Sequence, residues 1–132
     1  MKSSAQKFLF VTTLAISCGS WAGDVFVIAH PGVNVAPDDV RDVFVGEKQL
    51  DGAVKLVPMD NSAAQADFLA KVVKVDAAKY STLWAKKGFR DGVNPPPMRG
   101  GDAEVISAVK STAGGIGYVT KAPEGVKVIQ KY

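Results

Sequence analysis

Cysteine and histidine are almost absent from this sequence, which contains one of each, Cys18 and His30. Cys18 lies in an amino-terminal segment that we expect to be removed, so the remaining chain is predicted to have no disulfide and no thiol chemistry. A lone histidine without cysteines or clustered carboxylates does not make a metal site, and we expect no metal and no cofactor. The sequence also lacks a nucleophile elbow and a paired-carboxylate motif. Enzymatic activity is therefore not expected.

The apolar run at residues 8–16 is too short to span a membrane. It follows a positively charged start and precedes Ser20-Trp21-Ala22, which has the small-x-small form of a signal peptidase site. This order is typical of a secretory signal peptide. The sequence therefore predicts a signal peptide over residues 1–22, a single domain over residues 23–132, and export to the periplasm.

An alternative interpretation concerns the residues just before that cleavage site. Ala15-Ile16-Ser17-Cys18 has the form of a lipoprotein box, in which Cys18 is acylated and anchors the chain to a membrane. Such a box usually begins with a larger aliphatic residue than Ala15, and an ordinary cleavage site lies just downstream. Anchoring through Cys18 is the less favoured alternative.

An excess of charge of one sign is also missing from the chain beyond residue 22. The whole sequence has 16 Lys and Arg residues against 13 Asp and Glu residues, a formal net charge of +3. Lys2 and Lys7 belong to the predicted signal, so 14 basic residues face 13 acidic ones in the remainder, which is about +1. Such a weak field gives no support for nucleic-acid binding, and no nucleic-acid partner is expected.

The remaining chain of about 110 residues mixes strand-like and helix-like segments, and its length suffices for one modest core. The apolar run at residues 25–29 is typical of a strand covered on both faces, and residues 54–57 predict a second strand, which Pro58 is expected to close. Apolar residues at helical spacing predict helices near residues 62–74 and 102–112. These elements predict an α/β fold with a mixed sheet flanked by helices.

Local signals refine this prediction. Asp76 and Asp102 are each predicted to cap a helix, because aspartate is favoured at the N-cap. Tyr80 and Trp84 share one face of the helix that follows Asp76, and we interpret them as core residues rather than as a platform for stacking a ligand. Residues 88–101 are dense in Gly and Pro and predict a long irregular loop.

Asp60, Asn61 and Ser62 form a polar turn between a predicted strand and a predicted helix. All three residue types are favoured N-caps, so capping alone accounts for them. The same geometry also suits an anion, because the first amides of a helix lack backbone partners and carry a partial positive charge. Both interpretations stay open: a capped helix start, or a turn that contacts a ligand.

Several motifs, in a fixed order, resemble the periplasmic substrate-binding proteins of phosphate ABC transporters. The motif AEVISAVKSTAGGIGYV is similar to a helix–glycine–strand signature of that family, and PPPMRGG, LWAKKGF and VPMDNSAAQADF precede it at fitting spacing. APDDVRDVFVGEK resembles the family's helix that ends in a Phe-x-Gly turn. The resemblance implies a type 2 periplasmic-binding-protein-like sandwich, with a single lobe here where classical members have two lobes around a cleft.

In classical members the matching turn reads Arg-Ser-Asp-Gly-Ser-Gly-Thr and holds phosphate through Arg, Ser, Thr and backbone amides. The resemblance places Asp60, Asn61 and Ser62 at the Asp, the first Gly and the second Ser, whereas Pro58 stands in place of the Arg. The strongest anion holder is therefore missing, since an Arg fork supplies much of the energy and geometry of oxyanion capture. Arg99, in the predicted loop, is the expected replacement cation, with an ordinary solvated charge as the alternative. The predicted ligand-binding residues are Asp60, Asn61, Ser62 and Arg99.

Two functional hypotheses follow from these residues and from the resemblance. The first is a periplasmic solute-binding-like protein that binds a small oxyanion such as phosphate weakly and works with a membrane transporter or a sensor protein. The second is a ligand-free structural or interaction module of the cell envelope or of a sensor system. A hydrolytic enzyme is a distant third, because the sequence offers no catalytic constellation.

Overall fold

The computed structural model describes residues 23–132, in which a four-stranded sheet carries helices on both faces. The strands are β1 (Phe26–Ala29), β2 (Leu50–Asp51), β3 (Val54–Lys55), β4 (Val57–Pro58), β5 (Asp60–Asn61), β6 (Met98–Arg99), β7 (Gly115–Val119) and β8 (Lys127–Lys131). The helices are a 3-10 turn (Pro37–Asp39), α1 (Val40–Phe44), α2 (Gln65–Phe68) with a π-helical turn (Leu69–Val73), α3 (Ala77–Asp91) and α4 (Asp102–Ser111).

Strand β1 lies inside the sheet, whose order is β4-β7-β1-β8. It is antiparallel to both of its neighbours, so that Phe26 lies opposite Val119 of β7 and Lys131 of β8. Strand β4 pairs with the other side of β7 in the parallel direction, with Val57 opposite Gly115. The sheet is therefore mixed and flanked by helices, and the predicted α/β fold class is confirmed.

The nearly continuous apolar sequence of β1 is explained by burial on both faces. Val27 and Ala29 pack into a large cluster with α1, α2 and α3 on one face of the sheet. Ile28 packs on the opposite face against Val105 and Val109 of α4. Successive side chains of a strand point to opposite faces, so each face needs its own helical cover.

Three aromatic rings occupy the centre of the larger cluster. Phe68 of α2 stacks on Tyr118 of β7, with ring centroids 3.9 Å apart and planes 3° from parallel. Phe44 of α1 meets Phe68 edge-on at 4.7 Å, and its carbonyl accepts the indole N–H of Trp84 at 3.0 Å. Aromatic pairs of this kind contribute about 0.5–1.5 kcal/mol each beyond the burial of their area. They hold α1, α2 and α3 against the sheet.

The predicted strand at residues 54–57 is correct only in part, because the chain divides there between two sheets. Val54–Lys55 pairs with β2 in a small hairpin, and only the following strand, Val57–Pro58, belongs to the main sheet. The prediction that Pro58 closes the strand is confirmed, since Pro58 is the last residue of β4. It is tolerated because β4 is an edge strand, where a residue without an N–H need not pair on its outer side.

The two predicted helices are present, but the first begins later than expected. It starts at Gln65 rather than near Ser62, and its π-helical turn ends at Val73. Asp76 caps α3 as predicted, since its carboxylate accepts a hydrogen bond from the N–H of Lys79 at 2.7 Å. Tyr80 is buried in the core as expected, like its neighbour Trp84.

The irregular segment between α3 and α4 is shorter than predicted. Helix α3 continues to Asp91, and Met98–Arg99 forms strand β6, so two parts of the predicted loop at 88–101 are regular. The irregular residues that remain are 92–97 and 100–101, and the first of these segments carries three consecutive prolines that prevent a helix from continuing. This short segment places β6 beside β5.

The predicted signal peptide, including Cys18, lies outside the described residues, so its cleavage and its acylation stay predictions. From residue 23 onward, no helix is long and apolar enough to cross a membrane. The same part of the chain contains no group of three or more His, Cys, Asp or Glu side chains placed to hold a metal ion.

Substitution of Gly114 by alanine should strongly destabilise the fold. Gly114 has φ +83°, a left-handed conformation, and an added Cβ would collide with the backbone carbonyl of Lys55. We expect a loss of about 1–2 kcal/mol from the conformation and a further loss of about 1–3 kcal/mol from the collision. Urea denaturation monitored by circular dichroism measures both together.

Gly52→Ala is the matched control, because Gly52 also has a positive φ, +61°, but nothing lies within 4 Å of its added Cβ. This variant should lose only the conformational part of the stability. Equal losses for Gly114→Ala and Gly52→Ala would contradict the close approach of Gly114 to Lys55.

Candidate functional site

The polar turn after β4 is paired with the segment that carries Arg99. Strands β5 and β6 run parallel, with Asp60 beside Met98 and Asn61 beside Arg99. The backbone then continues the contact, since the N–H of Ser62 donates to the carbonyl of Arg99 at 3.0 Å. The structure thus brings together two segments that are about 40 residues apart and that both carry predicted ligand-binding residues.

The Asp60 side chain points into the protein and is 2% exposed. Its Oδ1 accepts the hydroxyl of Tyr118 at 2.6 Å, and its Oδ2 accepts the hydroxyl of Tyr80 at 3.0 Å. Burial raises the pKa of Asp60, and the two tyrosine hydrogen bonds oppose that rise only in part. Among residues 23–132, no Lys, Arg or His nitrogen lies within 4 Å of this carboxylate.

The pKa values of Tyr80 and Tyr118 are shifted in the same direction as that of Asp60. Burial is the main cause that raises the pKa of Tyr80 and Tyr118, and the nearby Asp60 carboxylate raises both further. Both phenols are therefore neutral hydrogen-bond donors at neutral pH. Asp60, Tyr80 and Tyr118 form a closed polar cluster that joins β5, α3 and β7.

Asn61 is fully buried and fixes the shape of the turn. Its Nδ2 donates to the Asp102 carboxylate at 2.8 Å and to the carbonyl of Tyr118 at 3.0 Å, and its Oδ1 accepts the N–H of Ala63 at 2.9 Å. The side chain thus folds the following residues into an Asx-type turn while it holds α4 and β7. These bonds satisfy both donors of the amide and one lone pair of its oxygen.

The prediction that Asp102 caps α4 is wrong. Asp102 is the first residue of the helix, and Gly101 takes the N-cap position without a side-chain hydrogen bond. The Asp102 carboxylate instead accepts hydrogen bonds from Asn61 and from the N–H and hydroxyl of Thr120. A carboxylate in the first helical turn is also favoured by the helix dipole. Asp102 therefore connects α4, the polar turn and the end of β7.

The side chains of the polar turn do not cap α2. The N-cap residue is Ala64, and no side chain caps it. The expectation of free amide donors is wrong for the first part of the turn. The N–H of Ser62 donates to the carbonyl of Arg99, the N–H of Ala63 donates to Oδ1 of Asn61, and the N–H of Ala64 donates to the carbonyl of Asn61. Ser62 itself is exposed. A ligand at this turn would meet the Ser62 side chain rather than a row of unpaired amides.

Arg99 lines an open groove of about 450 Å³ beside α4. Its Nε atom is buried and has no hydrogen-bond acceptor. Glu104, Ser107 and Ser111 also line the groove, yet no carboxylate of residues 23–132 lies within 4 Å of the Arg99 guanidinium. Arg99 therefore places a cation without a carboxylate partner at the wall of an open groove, where an anion would be stabilised.

The four predicted ligand-binding residues therefore do not form one cluster of side chains. Residues paired across two strands lie on the same side of the sheet, so Asp60 shares a side with Met98, and Asn61 shares the other side with Arg99. Asp60 and Met98 line a separate cavity of about 640 Å³ together with Tyr80 and Trp84. Arg99 faces the groove along α4.

Four residues of the polar network were not identified from the sequence as partners of the turn: Tyr80, Asp102, Tyr118 and Thr120. Tyr80 and Asp102 have sequence signals, but those signals indicate a core residue and a helix cap. Tyr118 lies in the apolar strand β7, where the buried hydroxyl is the only sign that a polar partner is required. His30 accepts the N–H of Gly32 through Nδ1 at 3.3 Å.

No protein-family profile matches the chain, and no curated protein sequence matches it significantly. Its fold is similar to the crystal structure of a protein from Clostridium perfringens assigned as a phosphate ABC transporter substrate-binding protein, which holds bound phosphate. The TM-score is 0.57 and the sequence identity 14% over 83% of this chain. The match spans only 46% of the other protein. The likeness shows a shared fold, and the chain spans about half the length of the protein it resembles.

Replacement of Asp60 by asparagine should flatten the pH dependence of stability. Because the pKa of Asp60 is raised above its ordinary 3.8, the native state binds this proton more tightly than the unfolded state. Asp60 therefore lowers the free energy of unfolding as pH rises through 3.8 toward the raised pKa. In Asp60→Asn that decrease should be absent, because an amide does not titrate in this range. The amide can still accept from one tyrosine and donate to the other, so the cluster is retained. Urea denaturation at a series of pH values from about 3 to about 8 measures it.

Tyr118→Phe should act in the opposite direction. It keeps the stacked ring but removes the donor to Oδ1 of Asp60, so the pKa of Asp60 should rise further and the loss of stability with pH should be larger. At neutral pH we expect a loss of about 0.5–3 kcal/mol, the range that covers one hydrogen bond to a neutral or to a charged group. If Asp60→Asn and Tyr118→Phe shift the pH profile in the same direction, the cluster is not organised around the Asp60 carboxylate.

Proposed function

We propose that this chain is a periplasmic solute-binding-like protein related to the phosphate ABC transporter substrate-binding proteins, and that it binds a small oxyanion such as phosphate weakly. The fold likeness to a protein with bound phosphate supports the class. The observation that carries the proposal within this chain is the Arg99 guanidinium, which lines the groove along α4 with no carboxylate of the described residues within 4 Å.

An oxyanion would supply the acceptor that Arg99 lacks. Guanidinium groups match phosphate and carboxylate oxygens with parallel N–H donors, and charge-assisted bonds of this kind are among the strong ones in proteins. Ser62 is joined to Arg99 by a backbone hydrogen bond, but its side chain does not line the groove, so a contact between its hydroxyl and the anion stays a prediction. Asp60 and Asn61 take a supporting role in the proposal, because their side chains are engaged in holding the turn.

Weak binding is expected for three structural reasons. Pro58 replaces the arginine of the classical turn, the first amides of the turn are already used internally, and the groove is open to solvent. The chain also corresponds to about half of the phosphate-bound protein. A second surface that would close over the anion and exclude water is therefore not supplied by the described residues.

Glu104 makes the groove selective for an oxyanion that carries a proton. It lines the groove with Arg99, and its carboxylate lies over Gly100, the residue after Arg99. A carboxylate repels a bare anion but accepts a hydrogen bond from a P–OH group. Phosphate, which is protonated near neutral pH, should therefore bind better than sulfate, which is not.

Titration calorimetry with inorganic phosphate and with sulfate tests the proposal. The dissociation constant for phosphate should lie in the high-micromolar range or above, and Arg99→Ala should weaken binding about tenfold or more through the loss of charge-assisted bonds. Arg90→Ala is the matched control, since Arg90 is exposed and paired with Asp91 at 2.8 Å. Glu104→Gln should reduce the preference for phosphate over sulfate.

Sub-micromolar phosphate binding would show that the site is complete and differently built. Equal effects of Arg99→Ala and Arg90→Ala on phosphate binding would show that Arg99 does not contact the anion. Absence of binding even at millimolar phosphate would favour the second candidate, a ligand-free module that contacts a transporter or sensor protein. The internal engagement of Asp60 and of the turn amides is the observation that supports that candidate.

The periplasmic location is tested by intact-mass analysis of the protein recovered after export. A mature chain that begins at Gly23 is expected, because a charged start, an apolar run and a small-x-small site occur in the order of a signal peptide. A diacylated chain that begins at Cys18 would replace this location with a membrane-anchored one.

A further inference from the structure

A second concave site lies away from Arg99, between the β2–β3 hairpin, β4 and the end of α3. It is a cleft of about 460 Å³, and residues 92–97 form one of its walls. The walls are mainly apolar, with Leu56, Val57, Trp84 and the three prolines at positions 95–97 among them. The volume lies in the range of sites that hold small molecules.

The charges at this cleft have a single sign. Lys48 and Lys55 line it, and no Asp or Glu does. Neither lysine has a carboxylate within 4 Å among the residues that the structure describes. Two unpaired ammonium groups beside an apolar cleft favour a ligand with a negative charge, because the cleft offers nothing to repel it.

We infer that this cleft binds a small amphipathic carboxylate, a molecule with one acidic head group and an apolar body, such as a medium-chain fatty acid. The apolar body would lie between Val57, Trp84 and the proline wall, where it removes apolar surface from water. The carboxylate would lie at Lys48 and Lys55. A lysine ammonium attracts an acidic head as a point charge without fixing its geometry, so the cleft should accept several apolar bodies.

Inorganic phosphate does not suit this cleft. Its oxygens would face apolar walls on most sides, and polar groups that lose water without gaining hydrogen bonds are penalised. Arg99 and Ser62 do not line the cleft, so the two ligand classes are assigned to separate parts of the molecule. Binding at this cleft can therefore be tested independently of the proposed oxyanion binding.

NMR titration of the methyl-labelled protein with octanoate, below its micellar concentration, tests the inference. The methyl signals of Leu56, Val57 and Val93 and the indole N–H of Trp84 should shift in a saturable way. The double variant Lys48→Glu/Lys55→Glu should weaken octanoate binding about fivefold or more, on the scale of exposed ion pairs. It should also make the cleft prefer octylammonium, because the charge at its edge is reversed.

Lys121→Glu is the matched control, since Lys121 is exposed, lies in the loop after β7 and lines none of these cavities. This variant should bind octanoate like the unsubstituted protein. The inference is wrong if octanoate shifts other signals or none, if the double variant binds octanoate as the control does, or if inorganic phosphate displaces octanoate from the cleft. Loss of phosphate binding in Arg99→Ala with octanoate binding retained would support both sites separately.

Discussion

The Asp60 carboxylate is removed from water and is solvated by the hydroxyls of Tyr80 and Tyr118. A buried carboxyl group without such donors would be strongly disfavoured in its charged form, so the two tyrosines must reach it. That requirement fixes α3 relative to β5 and β7. Because Tyr118 also stacks on Phe68, the polar cluster and the aromatic core share one side chain and cannot be rearranged separately.

The position of Arg99 follows from the same constraint. Holding Asp60 inward orients β5, and β6 pairs with β5 in a parallel register that sets Asn61 beside Arg99. The alternation of side chains then sends the Asp60 carboxylate toward α3 and the guanidinium toward α4. The carboxylate and the cation lie on different sides of a two-stranded sheet, so they do not neutralise one another. Asp60 therefore lies on the side of the sheet away from Arg99, where it repels an anion bound at Arg99 less.

The sequence was informative wherever a single element carries its own periodic signal. Residues 25–29 predict a doubly buried strand because every side chain there is apolar, and α4 is predicted by its helical spacing. The pairing of β5 with β6 has no such signal, since two residues per strand are too few for a period to be seen. The partners of Asp60 are 20 and 58 residues away, and nothing local in the sequence indicates contacts at that separation.

The order of strands in the main sheet has a consequence for when the structure can form. Strand β1 is near the start of the described chain, yet it pairs only with β7 and β8, and β4 pairs only with β7. No pair of the main sheet can form until β7, residues 115–119, has been synthesised, and the β1–β8 pair also needs residues 127–131. Contacts over such long sequence separations slow folding, because the loop must close before the contact stabilises it. During synthesis the chain therefore stays without its sheet, and folding begins as a cooperative event only once the carboxyl-terminal strands are present.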